Sequence, residues 1–346
     1  MIFSKILIRW YSNNKRELPW RQTKEPYYIW LSEIILQQTQ VKQGLPYYIS
    51  FIDTFPSVFD LARADEEDVL KLWQGLGYYS RARNLHATAK YIADQLNGEF
   101  PNNYKDLLKL KGVGDYTASA IASICFDEVT AVVDGNVYRV LSRYFGIDTP
   151  INSSKGAKEF KELAQELIDK KNPAEFNQAI MEFGATQCKP QNPDCNICPC
   201  NKGCIAFNKN TINSLPVKIK SAKAKKKYFN FLVLISEDGK TILEKREGKG
   251  IWQNLYQFPL IETNKNIDDK TLKTLIKAHD VIKGMPFELS LYNKDVVVHK
   301  LSHQHLHTKF WVVNVNKLLV EGIPTNQIHN YAVPILIGNF IEAFNF

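Results

Sequence analysis

The sequence predicts a multidomain chain. An all-α domain over residues 1–208 is joined by a basic linker at 209–227 to an α+β domain over 228–346. Three observations predict it. Apolar side chains recur at helical spacing up to residue 208. A weakly hydrophobic stretch follows, KNTINSLPVKIKSAKAKKK, with one proline and no helical period. Beyond it, short β-branched and aromatic runs alternate with turn residues.

The elements follow in order. YYIWLSEIILQQTQV, LLKLKGVGDYTASAIASIC, NVYRVLSRYFG, AKEFKELAQELIDK and FNQAIMEFGA carry the helical period. Pro26 stands where a helix can begin and Gly146 where one can stop. After the linker, YFNFLVLI, the turn EDGK and TILEKR read as a β-hairpin, because Asp-Gly accepts the backbone angles of a tight turn. KDVVVHK and TKFWVVNV add strands. DDKTLKTLIKAH is the one clear helix of this half.

The chain has 346 residues, a net charge of +8 and 45% hydrophobic residues. That composition excludes a wholly disordered, collagen-like or coiled-coil protein. No apolar run reaches the roughly 20 residues that span a bilayer. The N-terminus lacks the features of a secretory signal, so a cytoplasmic chain with reduced thiols is expected. Residues 1–208 carry 24 basic and 24 acidic side chains, residues 209–227 seven lysines and no acid, and residues 228–346 carry 13 and 12. The excess charge therefore sits in the linker. It suits a solvated tether and, equally, a tether that touches phosphates.

Four cysteines, Cys188, Cys195, Cys198 and Cys204, lie on one short segment. In a reducing compartment such density favours metal over disulfides, either one tetrahedral ion or an iron–sulfur cube. Only one Cys-x-x-Cys pair is present, where zinc knuckles use two. Cys200 reads as a bystander that could swap in as a ligand, and Cys125 as buried packing.

Three further positions carry chemistry. Gly112, Val113 and Gly114 separate two helical segments, and a hairpin of this kind exposes backbone N–H groups that can hold a phosphate. Glu33 interrupts a nearly continuous apolar run. It is either a residue of the helix's polar stripe or a desolvated acid with a raised pKa. Asp134 precedes a helix. It is either an N-cap or, with Asn136, a group facing a cationic intermediate.

WLSEIILQQTQV, LKGVGDYTASAI, VVDGNVYRVL and the four-cysteine loop occur in one order. Together they resemble the helix-hairpin-helix DNA glycosylase superfamily. LPWR, LQQTQV, GLGYYSRARNL and DGNVYRVL are most similar to the adenine DNA glycosylases of the MutY family. The resemblance is strong over 1–208 and looser over 228–346, which is similar to a Nudix-like domain.

The resemblance implies a monofunctional base-excision repair enzyme that hydrolyses the N-glycosidic bond of adenine opposite 8-oxoguanine or guanine. Glu33 is implied to protonate adenine N7. Asp134 is implied to stabilise the oxocarbenium sugar or to form a transient adduct, with Asn136 beside it. Trp20, Arg21 and Gln178 are implied to line the flipped-base pocket, and Gln38 and Tyr78 to wedge into the duplex. Gly112, Val113 and Gly114 are the implied phosphate contacts. The cysteine loop, 188–204, is implied to hold a [4Fe–4S] cluster. The implied partner is mispaired duplex DNA, met by a monomer associated with the nucleoid. Tyr116 stands where lyase relatives carry a lysine.

The resemblance also implies that 228–346 recognises 8-oxoguanine through Ser302 and His303, although Leu301 replaces the family's Phe. Asn254 stands where the family has Gly, and Asn is the least costly substitute at a left-handed angle. DDKTLKTLIKAH lacks the acidic motif of a Nudix hydrolase, so no pyrophosphatase activity is expected. A metal site at His299, His303, His305 and His307 is disfavoured, and His303 fits a hydrogen-bonding role toward the lesion better. Two other classes remain: an endonuclease III-type oxidised-pyrimidine glycosylase/lyase, and a non-enzymatic iron–sulfur DNA-binding protein. The first expects Lys in place of Tyr116. The second leaves Glu33 without a reason.

Overall fold

Helix caps and small-residue packing fix the first half of the chain. A computed structural model describes residues 2–220 and 224–346. The helices are α1 (Ile2–Asn14), α2 (Pro26–Leu36), α3 (Val41–Thr54), α4 (Val58–Arg63), α5 (Glu66–Leu72), α6 (Ser80–Gln95), α7 (Tyr104–Leu107), α8 (Asp115–Phe126), α9 (Gly135–Phe145), α10 (Ser154–Leu167), α11 (Pro173–Thr186) and α12 (Ile205–Asn208). Pro26 occupies the first turn of α2, Ser153 caps α10, and Gly146 ends α9 in the left-handed region. α8 is buried nearly all round by Ala118, Ala120, Ile121, Ala122 and Ile124. It packs against α2, and α11 packs against α1, α8 and α9. The α2 run was expected to continue to Val41. It stops at Leu36 because Gln38 turns left-handed, with φ +55°.

The chain forms two compact units. One comprises Met1–Arg63 and Asn84–Lys220, and the other Ala64–Arg83 and Ser221–Phe346. The segment containing α5 thus belongs with the C-terminal residues. Glu67 accepts hydrogen bonds from Lys245 Nζ (2.6 Å) and Tyr256 Oη (2.8 Å). Arg83 donates to Gln253 O at 2.9 Å, and Tyr79 Oη to Val333 O at 3.3 Å.

The expected linker, 209–227, is described except at 221–223, which lie outside the described residues. Within the first unit Ile151 N–H donates to Val217 O, and Ile219 N–H to Asn152 Oδ1. Lys225–Lys227 open a strand.

The second unit holds β1 (Lys225–Ser236), β2 (Lys240–Thr241), β3 (Glu244–Lys245), β4 (Tyr256–Gln257), β5 (Leu260–Thr263), β6 (Glu288–Leu291), β7 (Val297–Lys300), β8 (Gln304–Val315), β9 (Ile323–Pro324), α13 (Asp269–Ile276) and α14 (Ile335–Phe344). The main sheet runs β5-β1-β8-β6, with β7 also on β8. β1 and β8 are parallel over their full lengths, and the other pairs are antiparallel.

One face packs Leu232, Leu234, Trp311 and Val313 against Leu272 and Ile276 of α13. The other stacks Phe310 on Phe340 of α14, ring centroids 4.1 Å apart.

The expected β1–β2 hairpin does not form. The turn is present, with Gly239 at φ +72° and its N–H on Ser236 O, but β2 pairs with β9. One edge of β1 is already bonded by β8, and the other by β5 and the Pro259 carbonyl. α14 is a second helix where one was expected. Its sequence, ILIGNFIEAF, is apolar on most sides, so no amphipathic period announces it.

Candidate active site

Glu33 has no polar face to occupy. Ile29, Trp30, Leu31, Ile34 and Ile35 bury α2 around it, and Glu33 itself is 8% exposed. Burial pushes its pKa up to about 7. A Tyr116 hydrogen bond and the Arg21 charge oppose the rise, and the Asp134 charge adds to it. The polar-stripe alternative for Glu33 is therefore excluded.

Tyr116 enters from the first turn of α8. Its hydroxyl also donates to Met181 Sδ at 3.2 Å. Burial holds the phenol well above its usual range, with the Glu33 charge adding to the effect.

Asp134 is both the N-cap and the neighbour of this acid. Oδ1 accepts from Asn136 N (2.9 Å) and Val137 N (2.8 Å), and Oδ2 accepts from Asn136 Nδ2 (2.8 Å). Burial raises its pKa while these bonds oppose the shift. Asn136 is held in turn by Arg139, which donates to Asn136 Oδ1 (2.8 Å), Gly184 O (2.7 Å) and Cys188 O (2.8 Å). A Cβ on Gly184 would lie 2.6 Å from Asn136 Cβ, so glycine alone lets α11 approach this close.

Arg21 and Gln178 are joined through Tyr11. The Arg21 guanidinium lies 5.4 Å from the Tyr11 ring centroid, and Tyr11 Oη donates to Gln178 Oε1 at 2.5 Å. Arg21 Nη2 donates to Glu182 Oε2 at 2.7 Å, and Arg16 donates to both Glu182 oxygens at 2.7 Å. Burial alone would raise the pKa of Glu182. Its bonds to Arg16 and Arg21 outweigh that and bring it down to about 2. Trp20 is buried edge-on against Tyr48, centroids 5.1 Å apart.

Sequence reasoning missed Glu182, Arg139 and Tyr11. The signal for Glu182 existed, since it is a carboxylate among the buried positions Ala179, Ile180 and Phe183 of its helix.

In the α7–α8 hairpin, Gly112 has φ +80°, and a Cβ there would lie 2.8 Å from Asn84 Cβ. Val113 is different from the two glycines. Its side chain is buried and its N–H donates to Leu110 O, so it anchors the turn. Gly112 and Gly114 are exposed beside the N-terminus of α8.

Gln38 and Tyr78 each adopt positive φ, +55° and +49°, and both are exposed. Such angles cost about 1–3 kcal/mol in residues other than glycine and tend to mark functional positions. In the second unit Tyr78 lies under the Arg81 guanidinium, 5.8 Å from its ring centroid.

Cys188, Cys195, Cys198, Cys200 and Cys204 line one pocket, and all are free thiols. The Arg143 guanidinium reaches Cys188 Sγ at 3.5 Å and donates to the Lys189 and Pro190 carbonyls. Burial and the neighbouring thiols raise the pKa of Cys195, which is the electrostatic character of a site built for a cation. Cys200 donates to Cys198, which lowers the pKa of the Cys198 thiol. Soft thiolate ligands on one loop suit an iron–sulfur cluster. Among the described residues no three His, Cys, Asp or Glu side chains converge as a single-ion site, His299, His303, His305 and His307 included.

In the second unit, Ser302 and His303 form the exposed tip between β7 and β8, closed by Leu301 N–H on Gln304 O. Ser302 Oγ lies 3.4 Å from His303 Nδ1. Asn254 has φ +65°, as expected of a substitute for glycine, and its amide donates to Glu66 at 2.5 Å.

Residues 31–170 match the HhH-GPD superfamily of base excision DNA repair proteins, and residues 230–343 match the NUDIX domain. The chain is 37% identical to the adenine DNA glycosylase of Buchnera aphidicola subsp. Schizaphis graminum, over 91% of this chain and 88% of that protein. It is 35% identical to that of Buchnera aphidicola subsp. Baizongia pistaciae, over 98% and 93%. It is 45% identical to the human adenine DNA glycosylase, over 59% of this chain and 39% of that protein. Among solved structures, a thermostable thymine-DNA glycosylase aligns with a TM-score of 0.56 at 31% identity, covering 60% of this chain and 96% of that one. A non-covalent endonuclease III–DNA complex aligns with a TM-score of 0.53 at 22% identity, covering 60% and 95%, and shows the fold.

Proposed function

The chain belongs to the adenine DNA glycosylase family and is a base-excision DNA glycosylase, and from that premise we propose that it removes adenine mispaired with 8-oxoguanine or guanine in duplex DNA. One observation carries the reading: a buried acid, Glu33, whose pKa lies near 7 beside the fixed carboxylate of Asp134.

The chemistry follows from those two environments. The target adenine leaves the stack because its glycosidic bond is shielded there. Glu33 keeps its proton near neutral pH and delivers it to adenine N7, which makes the base a leaving group. Asp134 accepts three hydrogen bonds, so its carboxylate is held rigid and faces the cationic sugar without reorganising. Arg21 and Gln178, tied together by Tyr11, hold the base with Trp20. Backbone groups at Gly112 and Gly114 meet a phosphate, and Gln38 and Tyr78 wedge into the duplex. Ser302 and His303 read the opposing lesion.

Cys188, Cys195, Cys198 and Cys204 hold a [4Fe–4S] cluster, which ties the loop together as a structural element. Tyr116 has no amine to form a Schiff base, so water completes the reaction and the strand stays intact.

The test is base release from three duplexes: adenine opposite 8-oxoguanine, adenine opposite guanine, and an oxidised pyrimidine opposite its partner. We expect free adenine from the first two, and faster from the first. Release of the oxidised pyrimidine, with borohydride trapping of the native protein, would place the chain with the lyases. Tyr116→Lys should create the trapped species that the native enzyme lacks.

A further inference from the structure

The two sheet faces of the C-terminal unit are not equally covered. β1 and β8 run side by side for twelve residues each. α13 covers only the part of one face that contains Leu232, Leu234, Trp311 and Val313. The same face continues past the helix toward the Ser302–His303 tip, and strand register fixes what it carries there.

Lys226 pairs with His305, and His305 pairs with Lys300, so these three side chains form one row across β1, β8 and β7. Tyr228, His307 and Val298 form the next row on the same face. The Tyr228 and His307 rings stack with centroids 5.0 Å apart and planes 29° apart. Lys309 follows on the same strand face. It donates to Ile267 O at 2.7 Å and, with Lys265, lines a shallow pocket.

This face is unlike an ordinary solvated edge. Lys226 and Lys300 are exposed, and Tyr228, His305 and His307 are half-buried. Among the described residues, two nearby carboxylates are engaged elsewhere. Asp268 lines the Lys265–Lys309 pocket, but its carboxylate caps the N–H of Thr271 at 2.9 Å. Glu262 of β5 pairs with Phe229, which puts it on the opposite face, where it binds Lys227 at 3.2 Å. A row of cations backed by stacked rings suits a polyanion with planar groups.

We propose that this uncovered end of the sheet binds the sugar–phosphate backbone of duplex DNA, with Lys226 and Lys300 contacting phosphates and the Tyr228–His307 pair packing against the sugars. The occupant is duplex DNA because the face is continuous, through Lys300 and Leu301, with the hairpin tip assigned to the lesion. The proposal rests on that assignment for its orientation. It explains why the lysines of the linker's C-terminal end are strand residues: β1 starts early and places Lys226 in the row, with Lys225 N–H on His303 O.

The test uses the full-length, cluster-loaded protein and a duplex with neither mispair nor lesion. Its outcome therefore does not depend on adenine excision or on lesion preference. Affinity is measured from low to moderate salt for the native chain, for Lys226→Ala with Lys300→Ala, and for Lys283→Ala with Lys317→Ala as a charge-matched control. Each phosphate contact contributes about 0.9 to the slope of log affinity against log salt. The first variant should lose about 1.8 from the slope, with a deficit that grows as salt falls. The control should keep the native slope. Equal slopes for both double variants, or an unchanged slope for the first, would overturn the proposal. A slope loss seen equally on a single strand would move the occupant from duplex to unpaired DNA and overturn the duplex assignment.

Discussion

Glu33 and Glu182 are both buried carboxylates of the helical unit, yet their environments push them in opposite directions. Glu33 is 8% exposed and its pKa is raised to about 7, while Glu182 is 1% exposed and its pKa is lowered to about 2. Burial favours the neutral form in both. The difference is the partner. Glu182 is gripped by two guanidinium groups, whereas Glu33 has a phenol, a nearby carboxylate and Arg21 only at longer range. One site holds a permanent charge and serves as scaffold. The other holds a proton that can be given away.

Three variants sharpen that comparison. Glu33→Gln keeps the shape and removes the proton donor. Adenine release should fall by roughly 10²–10⁴-fold, the usual contribution of a general acid, while duplex binding persists. Near-native single-turnover release would end the assignment.

Stability should move the other way. A group whose pKa rises on folding opposes the folded state once pH exceeds its unfolded value, and fully so above its folded value. Above pH 7 the Gln variant should therefore be more stable than the native chain, by up to about 3 kcal/mol. Denaturant melts at pH 6 and pH 8.5 measure the crossover.

Glu182→Leu should do the reverse of that stabilisation. It leaves Arg21, 13% exposed, without its carboxylate. Breaking such a pair costs about 3 kcal/mol. Because the Glu182 pKa is depressed, its contribution is present above the unfolded carboxylate value, near pH 4, and fades as pH falls toward 2. The destabilisation should be full at pH 7 and shrink in acid. A pH-independent loss would mean the ion pair is not its source.

The smallest effect belongs to the exposed hairpin, where no desolvation is at stake. Ser302→Ala with His303→Ala should leave thermal stability within about 0.5 kcal/mol. The preference for 8-oxoguanine over guanine should drop about tenfold, the value of one or two hydrogen bonds. These substitutions probe recognition more cleanly than truncation at the linker. Truncation would also strip the partners of Glu67, Tyr79 and Arg83.

Much of this site was legible in the sequence because it is local. Asp134 and Asn136 share a helix start, Gly112 and Gly114 share a turn, and the four thiols share a loop. What was not legible is tertiary. The Glu182–Arg16–Arg21 cluster joins residues about 160 positions apart in the chain. The assignment of 64–83 to the C-terminal unit depends on partners such as Asn254 and Tyr256, which periodicity cannot show. The β1–β2 hairpin failed because turn chemistry is local while strand pairing is a competition, and β5 and β8 won both edges of β1. α14 was missed because a helix buried on most sides has no polar face to reveal its period.

The most direct test of the account is the pH dependence of single-turnover adenine excision from a duplex with adenine opposite 8-oxoguanine. The proposed mechanism needs Glu33 protonated, and burial holds its pKa at about 7. The rate should be highest below pH 7 and fall about tenfold per pH unit above it, while the slow residual rate of Glu33→Gln should lack that descending limb. A native rate that stays level from pH 6 to pH 9 would contradict the buried-acid mechanism.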